Sequence, residues 1–397
     1  MPVLPSPHER VLTAIAHQQP DRCPVDFLAT NEIWDRLIDH FQPDADSVGA
    51  SEFFDPKREA ILRQLEIDCR VVSYDMFCSP PEHVLEPGAV IEWWEVMSRS
   101  TPGRMWRQRL PSGELREIFG RRMHVVENPT GSYEEILHYP LADCTTVDQL
   151  KAFQFPDPDW WDWTPLPAVI DHLNRDQHYH IRFRIGSVFE VAWQLRGLST
   201  FLTDLAMEPA LPKYIMERLT DIYVENTRRV LDLAADRLDA VYFYDDVATQ
   251  KSLLISKGMW AEFIRPCHQR IIDVAKSYDV SVMYHSDGAL RPLIPELIEM
   301  GIDILNPIQA NAKGMEPEAL KADFGDRLTF HGGIDIVKTL PQGTPSEVRA
   351  EVQERIRVLG KDGGYILCSS HHIQSDTPLE NVLAMYDLAL RAYPQRA

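Results

Sequence analysis

Six short apolar runs in this chain stop abruptly at a chemically useful residue. Ala240-Val-Tyr-Phe-Tyr244 runs into Asp245 and Asp246, and Val280-Ser-Val-Met-Tyr284 runs into His285-Ser-Asp287. Ile302-Asp-Ile-Leu305 ends at Asn306, Leu328-Thr-Phe330 at His331, and Tyr365-Ile-Leu367 at Cys368-Ser-Ser-His371-His372. Earlier, Val71-Val-Ser-Tyr74 ends at Asp75. Runs of this length bounded by polar residues predict strands, and eight are expected, at 24–27, 70–74, 181–185, 239–244, 280–284, 302–305, 328–330 and 364–367. Helical spacing fills 7–19, 31–41, 57–66, 210–235, 257–277, 290–300, 315–323, 345–359 and 378–391. Strand–helix alternation implies parallel pairing with right-handed crossovers, and eight such strands predict a closed (β/α)8 TIM barrel. In that fold the C-terminal strand ends form one face, which carries the chemistry. Residues scattered from 75 to 371 are therefore expected at one pocket. An open doubly wound sheet is the rival, but no Gly-x-Gly-x-x-Gly follows an early strand and no phosphate-cradling Gly-Lys-Ser/Thr loop occurs.

Residues 84–135 break the pattern. Ile91-Glu-Trp-Trp-Glu, Met105-Trp-Arg-Gln-Arg-Leu and Arg122-Met-His-Val-Val are strand-like, separated by Pro-Ser-Gly and Pro-Thr-Gly turns. They predict a small antiparallel β insertion, a cap beside the pocket. With an N-terminal extension ahead of the barrel, the whole of 1–397 is read as a single domain carrying that insertion. Residues 140–165 are loop-rich, and Trp160, Trp161 and Trp163 within them are expected at the interface of a homodimer.

Composition narrows the function classes. The net charge of −20 argues against nucleic acid, whose binding needs clustered Lys and Arg, but not against a small anionic substrate. No run of about 18 apolar residues predicts a membrane span, and the first ten residues lack the basic head and apolar core of a signal peptide. Six scattered cysteines without a Cys-x-x-Cys pair fit reduced thiols and a cytoplasmic location.

Glu9-Arg-Val-Leu-Thr-Ala-Ile-Ala-His-Gln-Gln-Pro-Asp-Arg-Cys-Pro-Val-Asp26 resembles the opening of uroporphyrinogen decarboxylase-like proteins. Tyr284-His-Ser-Asp-Gly288, Phe330-His-Gly-Gly-Ile-Asp335 and Gly363-Gly-Tyr-Ile-Leu-Cys-Ser-Ser-His371 are similar to that superfamily too, over essentially the whole chain. The resemblance implies a (β/α)8 barrel, and either a porphyrin decarboxylase or a corrinoid-linked methyltransferase. The decarboxylase branch implies an N-terminal arginine-rich segment for substrate carboxylates, whereas Val25-Asp-Phe-Leu-Ala-Thr-Asn31 holds no arginine. It also implies a catalytic aspartate seven residues after another, a spacing that Asp68 and Asp75 share, and a C-terminal histidine that falls on His371. The methyltransferase branch implies zinc on His-x-Cys plus a distant cysteine. Here the pair reads His285-x-Asp287, and the distant ligand falls on His371 or, with a small register shift, on Cys368.

The residues themselves support several roles. His285 and Asp287, two apart after a strand, point the same way if the strand continues, and with His371 or Cys368 offer three ligands and an open position. The plainer alternative is a hydrogen-bonded His–Asp pair without metal. Adjacent Asp245 and Asp246 point to opposite sides, so one faces the pocket as a ligand or base, unless both serve caps and loops. Asp75 is a candidate proton donor or cation anchor, or else a turn-former. Arg184, nearest the C-terminal end of a strand face shared with His180 and Arg182, is a candidate for a substrate carboxylate or corrinoid phosphate, with internal ion pairing as the alternative. Glu190 and Trp193 are expected to line the pocket or simply to pack. Of His331 and His372, one is expected to contact ligand and the other to be structural.

The expectation is a metal-assisted methyltransferase acting with a corrinoid or thiol acceptor. Zinc sits on the site in this reading, and the corrinoid comes from a separate protein or as free cobalamin. A cofactor-free decarboxylase using Asp75 is the alternative, and a non-catalytic ligand- or corrinoid-protein-binding module is the reading from another class. A small-molecule substrate is expected in each.

Overall fold

The computed structural model describes residues 4–95, 104–128, 131–387 and 392–393. Twelve strands are described: β1 (Cys69–Ser73), β2 (Val90–Glu95), β3 (Arg104–Arg109), β4 (Leu115–Arg116), β5 (Arg122–Asn128), β6 (Gly131–His138), β7 (His180–Arg184), β8 (Ala240–Tyr244), β9 (Ser281–His285), β10 (Ile304–Ile308), β11 (Thr329–Ile334) and β12 (Tyr365–Ser369). They form two sheets, a seven-stranded one in the order β1-β7-β8-β9-β10-β11-β12 and a five-stranded one in the order β2-β3-β4-β5-β6. Every pairing in the first is parallel and every pairing in the second antiparallel.

The eighth expected strand, at 24–27, forms bridges rather than a full ladder. Val25 pairs with Leu367 and Ala29 with Ile373, both in parallel sense. The Asp26 amide donates to the Leu367 carbonyl at 2.9 Å, and the Asp68 amide to the Val25 carbonyl at 3.0 Å. The segment thus lies between β12 and the start of β1 and closes the barrel.

Helices on one side and the packed barrel interior on the other bury both faces of these strands. β1, β10, β11 and β12 are buried at every residue, as expected of parallel strands covered on both faces. Each Leu, Ile or Phe so buried contributes about 1.5–3 kcal/mol. The expected helix at 31–41 is Asn31–Phe41 as read. Others are shorter or divided: 7–19 is Pro7–Ile15, and 257–277 carries a π-helical turn at Trp260–Ile264 before Arg265–Ser277. The expected 378–391 is helical over Leu379–Met385, and residues 388–391 lie outside the described residues.

The antiparallel sheet matches the expected insertion. The tryptophans of 160–163 require a correction. Trp160, Trp161 and Trp163 are buried in this chain's own core. The Trp161 indole donates to the Tyr74 carbonyl at 3.1 Å, and Trp163 packs on Phe77 and Phe183. Their size and apolar area are used within the protomer, so they offer no dimer face. Among the described residues no helix is long and apolar enough to cross a membrane.

Candidate functional site

Parallel register brings the strand ends to one level. Tyr244 of β8 pairs with His285 of β9, and His285 with Asn306 of β10. Beyond His285 the chain turns at once: the Ser286 amide donates to the Asn306 carbonyl at 2.9 Å, the Asp287 amide to Asp246 Oδ1 at 2.7 Å, and the Gly288 amide to Gln309 Oε1 at 2.9 Å. Gly288 has φ +91°, and a Cβ there would stand 2.5 Å from the Thr249 carbonyl oxygen. Only glycine fits that turn without strain. It holds the Asp287 carboxylate against His285.

His371, from the loop after β12, completes the group. Ligand atoms of His285, Asp287 and His371 all lie within 4.8 Å of one another. His285 Nε2 is 3.9 Å from Asp287 Oδ1, and His371 Nε2 is 3.7 Å from Asp287 Oδ2. These gaps are too long for direct hydrogen bonds. Ligand atoms about 2.0–2.2 Å from a tetrahedral zinc stand about 3.4 Å apart, so the spacing is close to that of groups sharing an ion. Asp287 Oδ1 is buried and, among the described residues, has no hydrogen-bond partner. A buried carboxylate oxygen without a hydrogen-bond partner, facing an imidazole nitrogen across such a gap, fits a cation between them. Two imidazoles and a carboxylate are a catalytic zinc donor set.

Burial raises the Asp287 carboxyl pKa, opposed by His285 and His371 and reinforced by Asp246. Burial lowers that of His371, with Asp287 acting the other way.

The other candidate ligand, Cys368, lies elsewhere. It is fully buried, and its sulfur groups with Asp26 and His331 inside the barrel. Burial pushes its thiol well above the usual range. It sits on β12, four residues from the end of the loop turn that carries His372, and it does not reach the His285 pair.

A cavity of about 190 Å³ opens on this group, lined by Asp246, His285, Asn306, His371 and His372, with Arg184, Glu190, Tyr242 and Tyr244. A second cavity of about 190 Å³ shares Arg184, Glu190 and Tyr244 with it and extends between the barrel and the antiparallel sheet, where Trp106, Arg107, Glu117, Ile118 and Arg121 form the far wall. The two adjoin at those three shared residues and together form the cleft. The insertion does stand beside the pocket, as its position in the chain predicts.

Asp245 and Asp246 separate as their alternation requires. Asp246 lines the cavity with its Oδ1 3.8 Å from His285 Nε2. Asp245 is fully buried and accepts from the amides of Val188 at 3.1 Å and Glu190 at 2.8 Å, from the Ser187 hydroxyl, and from His268 Nε2 at 2.6 Å. This corrects its candidate catalytic role: the carboxylate caps the start of helix Phe189–Arg196 and has no face toward the cleft.

Asp75 lines the second cavity, accepting from the Ser73 hydroxyl at 2.9 Å and from Arg184 Nη1 at 3.1 Å. Arg184 also stacks on the Tyr244 ring, 4.2 Å from its centroid. Glu190 lines both cavities, and burial together with the nearby Asp246 and Asp245 pushes its pKa up to about 8, against Arg184 and Arg121. Trp193 is corrected: it packs against the core and lines neither cavity, because Glu190, Val191 and Gln194 take the cleft side of that helix.

His372 lines the cleft, its Nδ1 3.1 Å from His371 Nδ1. His331 is the interior member of the two. It belongs to a buried chain in which His285 Nδ1 meets Asn306 Oδ1 at 2.5 Å, Asn306 Nδ2 meets His331 Nδ1 at 2.6 Å, and His331 Nε2 meets Asp26 Oδ2 at 2.9 Å. Asp26 also pairs with Arg182 of β7. Burial alone would raise the Asp26 carboxyl, but Arg182 and His331 hold it well below the usual carboxylate range. Asn306 stands at a strand end in the sequence, where nothing in the local pattern assigns it a role. Asp26, His268 and the cleft residues of the insertion carried no sequence signal of function.

The family model for uroporphyrinogen decarboxylase (URO-D) matches residues 146–391. Among characterised proteins, a methylated-thiol–coenzyme M methyltransferase of Methanosarcina mazei is 27% identical over 201 residues, 49% of this chain and 49% of its own length. This chain thus spans about half the length of that relative. A uroporphyrinogen decarboxylase of Anaeromyxobacter sp. is 25% identical over 260 residues, 62% of this chain and 68% of its own. The solved structure of a methyltransferase from Methanosarcina mazei superposes with a TM-score of 0.61 at 16% identity, covering 97% of this chain and 98% of its own, a likeness of fold.

Proposed function

The chain belongs to the uroporphyrinogen decarboxylase family, and from that premise we propose that it is a metal-assisted methyltransferase. His285, Asp287 and His371 hold the metal, with zinc the ion that the reading favours, and the acceptor is a thiol or a corrinoid supplied by a separate protein or as free cobalamin. The observation that carries the reading is the convergence of those three ligand groups within 4.8 Å at the strand-end mouth. A methyltransferase relative and a decarboxylase relative both support an enzyme in this scaffold.

Zinc on this donor set supplies a Lewis acid that lowers the pKa of a thiol or hydroxyl, or polarises a substrate oxygen. The chain's own residues do the rest. Tyr242 and Tyr244 give the methyl-bearing substrate an aromatic wall. Arg184, anchored by Asp75, offers a cation to an anionic substrate or corrinoid phosphate. When the bond from the methyl carbon to its donor heteroatom breaks, the electron pair stays on the heteroatom while the acceptor's pair forms the new bond. Glu190, whose carboxyl is pushed up to about 8 by burial and by the nearby Asp246 and Asp245, is the group placed to give a proton to that heteroatom. Asp246, beside His285, orients the reacting group.

The test is to incubate the protein with reduced cobalamin and a panel of methylated oxygen, sulfur and nitrogen donors while following the visible spectrum. Donor-dependent methylation of cob(I)alamin, lost in His285→Ala, is expected. No methylation with any donor, together with carbon dioxide release from a porphyrinogen, would point to the decarboxylase reading instead. Ligand binding without turnover of either kind would point to a binding module.

A further inference from the structure

Asp26, His331 and Asn306 run unbroken from the barrel interior to His285, and of the three Asn306 lines the cavity. We propose that this buried chain is a tautomer lock: Asp26, through His331 and Asn306, fixes the proton of His285 on Nδ1 and leaves Nε2 bare toward Asp287 and His371. The proposal rests on the metal-site reading for its purpose but not for its geometry.

Arg182 is always charged and fully buried against Asp26, so the Asp26 carboxylate is ionised and can only accept. His331 Nε2, 2.9 Å from it, must therefore carry hydrogen. Asp26 has one negative charge and Arg182 already balances it. A second positive charge on His331, buried with them, would be uncompensated in the interior, so its ring is neutral. A neutral imidazole holds one hydrogen, which leaves His331 Nδ1 as an acceptor. Its partner at 2.6 Å must then be the NH2 of Asn306. That turns Asn306 Oδ1 to His285 Nδ1 at 2.5 Å, and a carbonyl oxygen requires Nδ1 to donate. With a single hydrogen on the ring, Nε2 of His285 is left with a lone pair. It faces Asp287 Oδ1 at 3.9 Å and Asp246 Oδ1 at 3.8 Å, and a bare nitrogen among carboxylate oxygens is an arrangement that a cation resolves. Asn306, His331 and Asp26 are positioning residues, acting through His285.

Nitrogen-15 spectra of histidine-labelled, metal-free protein read the tautomer of each ring directly, with His285 assigned by its loss in His285→Gln. The expected result is Nδ1–H for His285 and Nε2–H for His331. Asn306→Leu should release the lock, so that Nε2–H appears at His285 and zinc affinity falls about 10–100-fold, the usual cost of losing an outer-shell partner. Asn306→Asp keeps an acceptor for His285 Nδ1–H but cannot donate to His331 Nδ1, so His285 should keep Nδ1–H while His331 takes up a second proton and carries hydrogen on both nitrogens, a relayed response that loss of packing alone would not give. Nε2–H at His285 in wild type overturns the proposal whatever the metal does. Nδ1–H with no zinc binding supports the lock and overturns the metal site instead, so the two failures are distinct.

Discussion

At Asp245 two amides, a serine hydroxyl and an imidazole meet on one fully buried carboxylate. Asp245→Asn puts an amide group among those partners and should cost about 3 kcal/mol in chemical denaturation. A change under about 0.5 kcal/mol would show that the carboxylate is dispensable. Glu190 offers a different test. Its folded pKa, pushed up to about 8 by burial and the nearby Asp246 and Asp245, lies above the ordinary glutamate value of 4.5, so between those values the folded protein holds a proton that the unfolded chain has released. Its contribution therefore weakens as pH rises from about 4.5 through about 8 and is constant above. Wild type should lose stability relative to Glu190→Gln across that window. A pH-independent difference between the two would mean that Glu190 titrates normally.

The β9 turn is where an element decides chemistry. With a Cβ 2.5 Å from the Thr249 carbonyl, Gly288→Ala must move backbone, and Asp287 moves with it. A loss of roughly 1–3 kcal/mol in stability is expected, with weakened zinc binding alongside. Full stability with intact binding would show that the turn has slack. The barrel elements were legible because parallel strands covered on both faces read as apolar runs, and the runs stop where the strands reach the polar mouth. The His285-x-Asp287 spacing and the strand-end place of Asp246 came from the same signal. Several features were not legible. Which of Asp245 and Asp246 faces the cleft depends on the strand's phase and on His268, a helix residue far along the chain. Cys368 and His371, three apart, diverge because one remains in β12 and the other lies in the loop beyond it. Trp193 turned to the core because its helix presents Glu190 and Gln194 to the cleft, a phase that amphipathic spacing left open. Asp26 and Arg182 meet across the barrel, and no local pattern records such a pairing.

At the scale of the whole molecule, the barrel supplies the ligands and the antiparallel sheet supplies the far wall of the cleft. Those tasks should separate. Ile118→Trp fills space in the cavity between barrel and sheet without touching His285, Asp287 or His371. It should raise the KM for the methyl donor about tenfold, equivalent to about 1.4 kcal/mol, while zinc affinity stays as in wild type. An unchanged KM would mean that the donor does not use that space.

If His285, Asp287 and His371, from two strand ends, hold one metal ion, cobalt(II) titration followed by visible absorption will report it. Metal-free wild type should develop the intense bands of a four- or five-coordinate ion and saturate at about one equivalent, and His285→Ala, Asp287→Ala and His371→Ala should each lose them. A folded wild type that gives only the pale spectrum of hydrated cobalt would mean that these three side chains hold no metal ion.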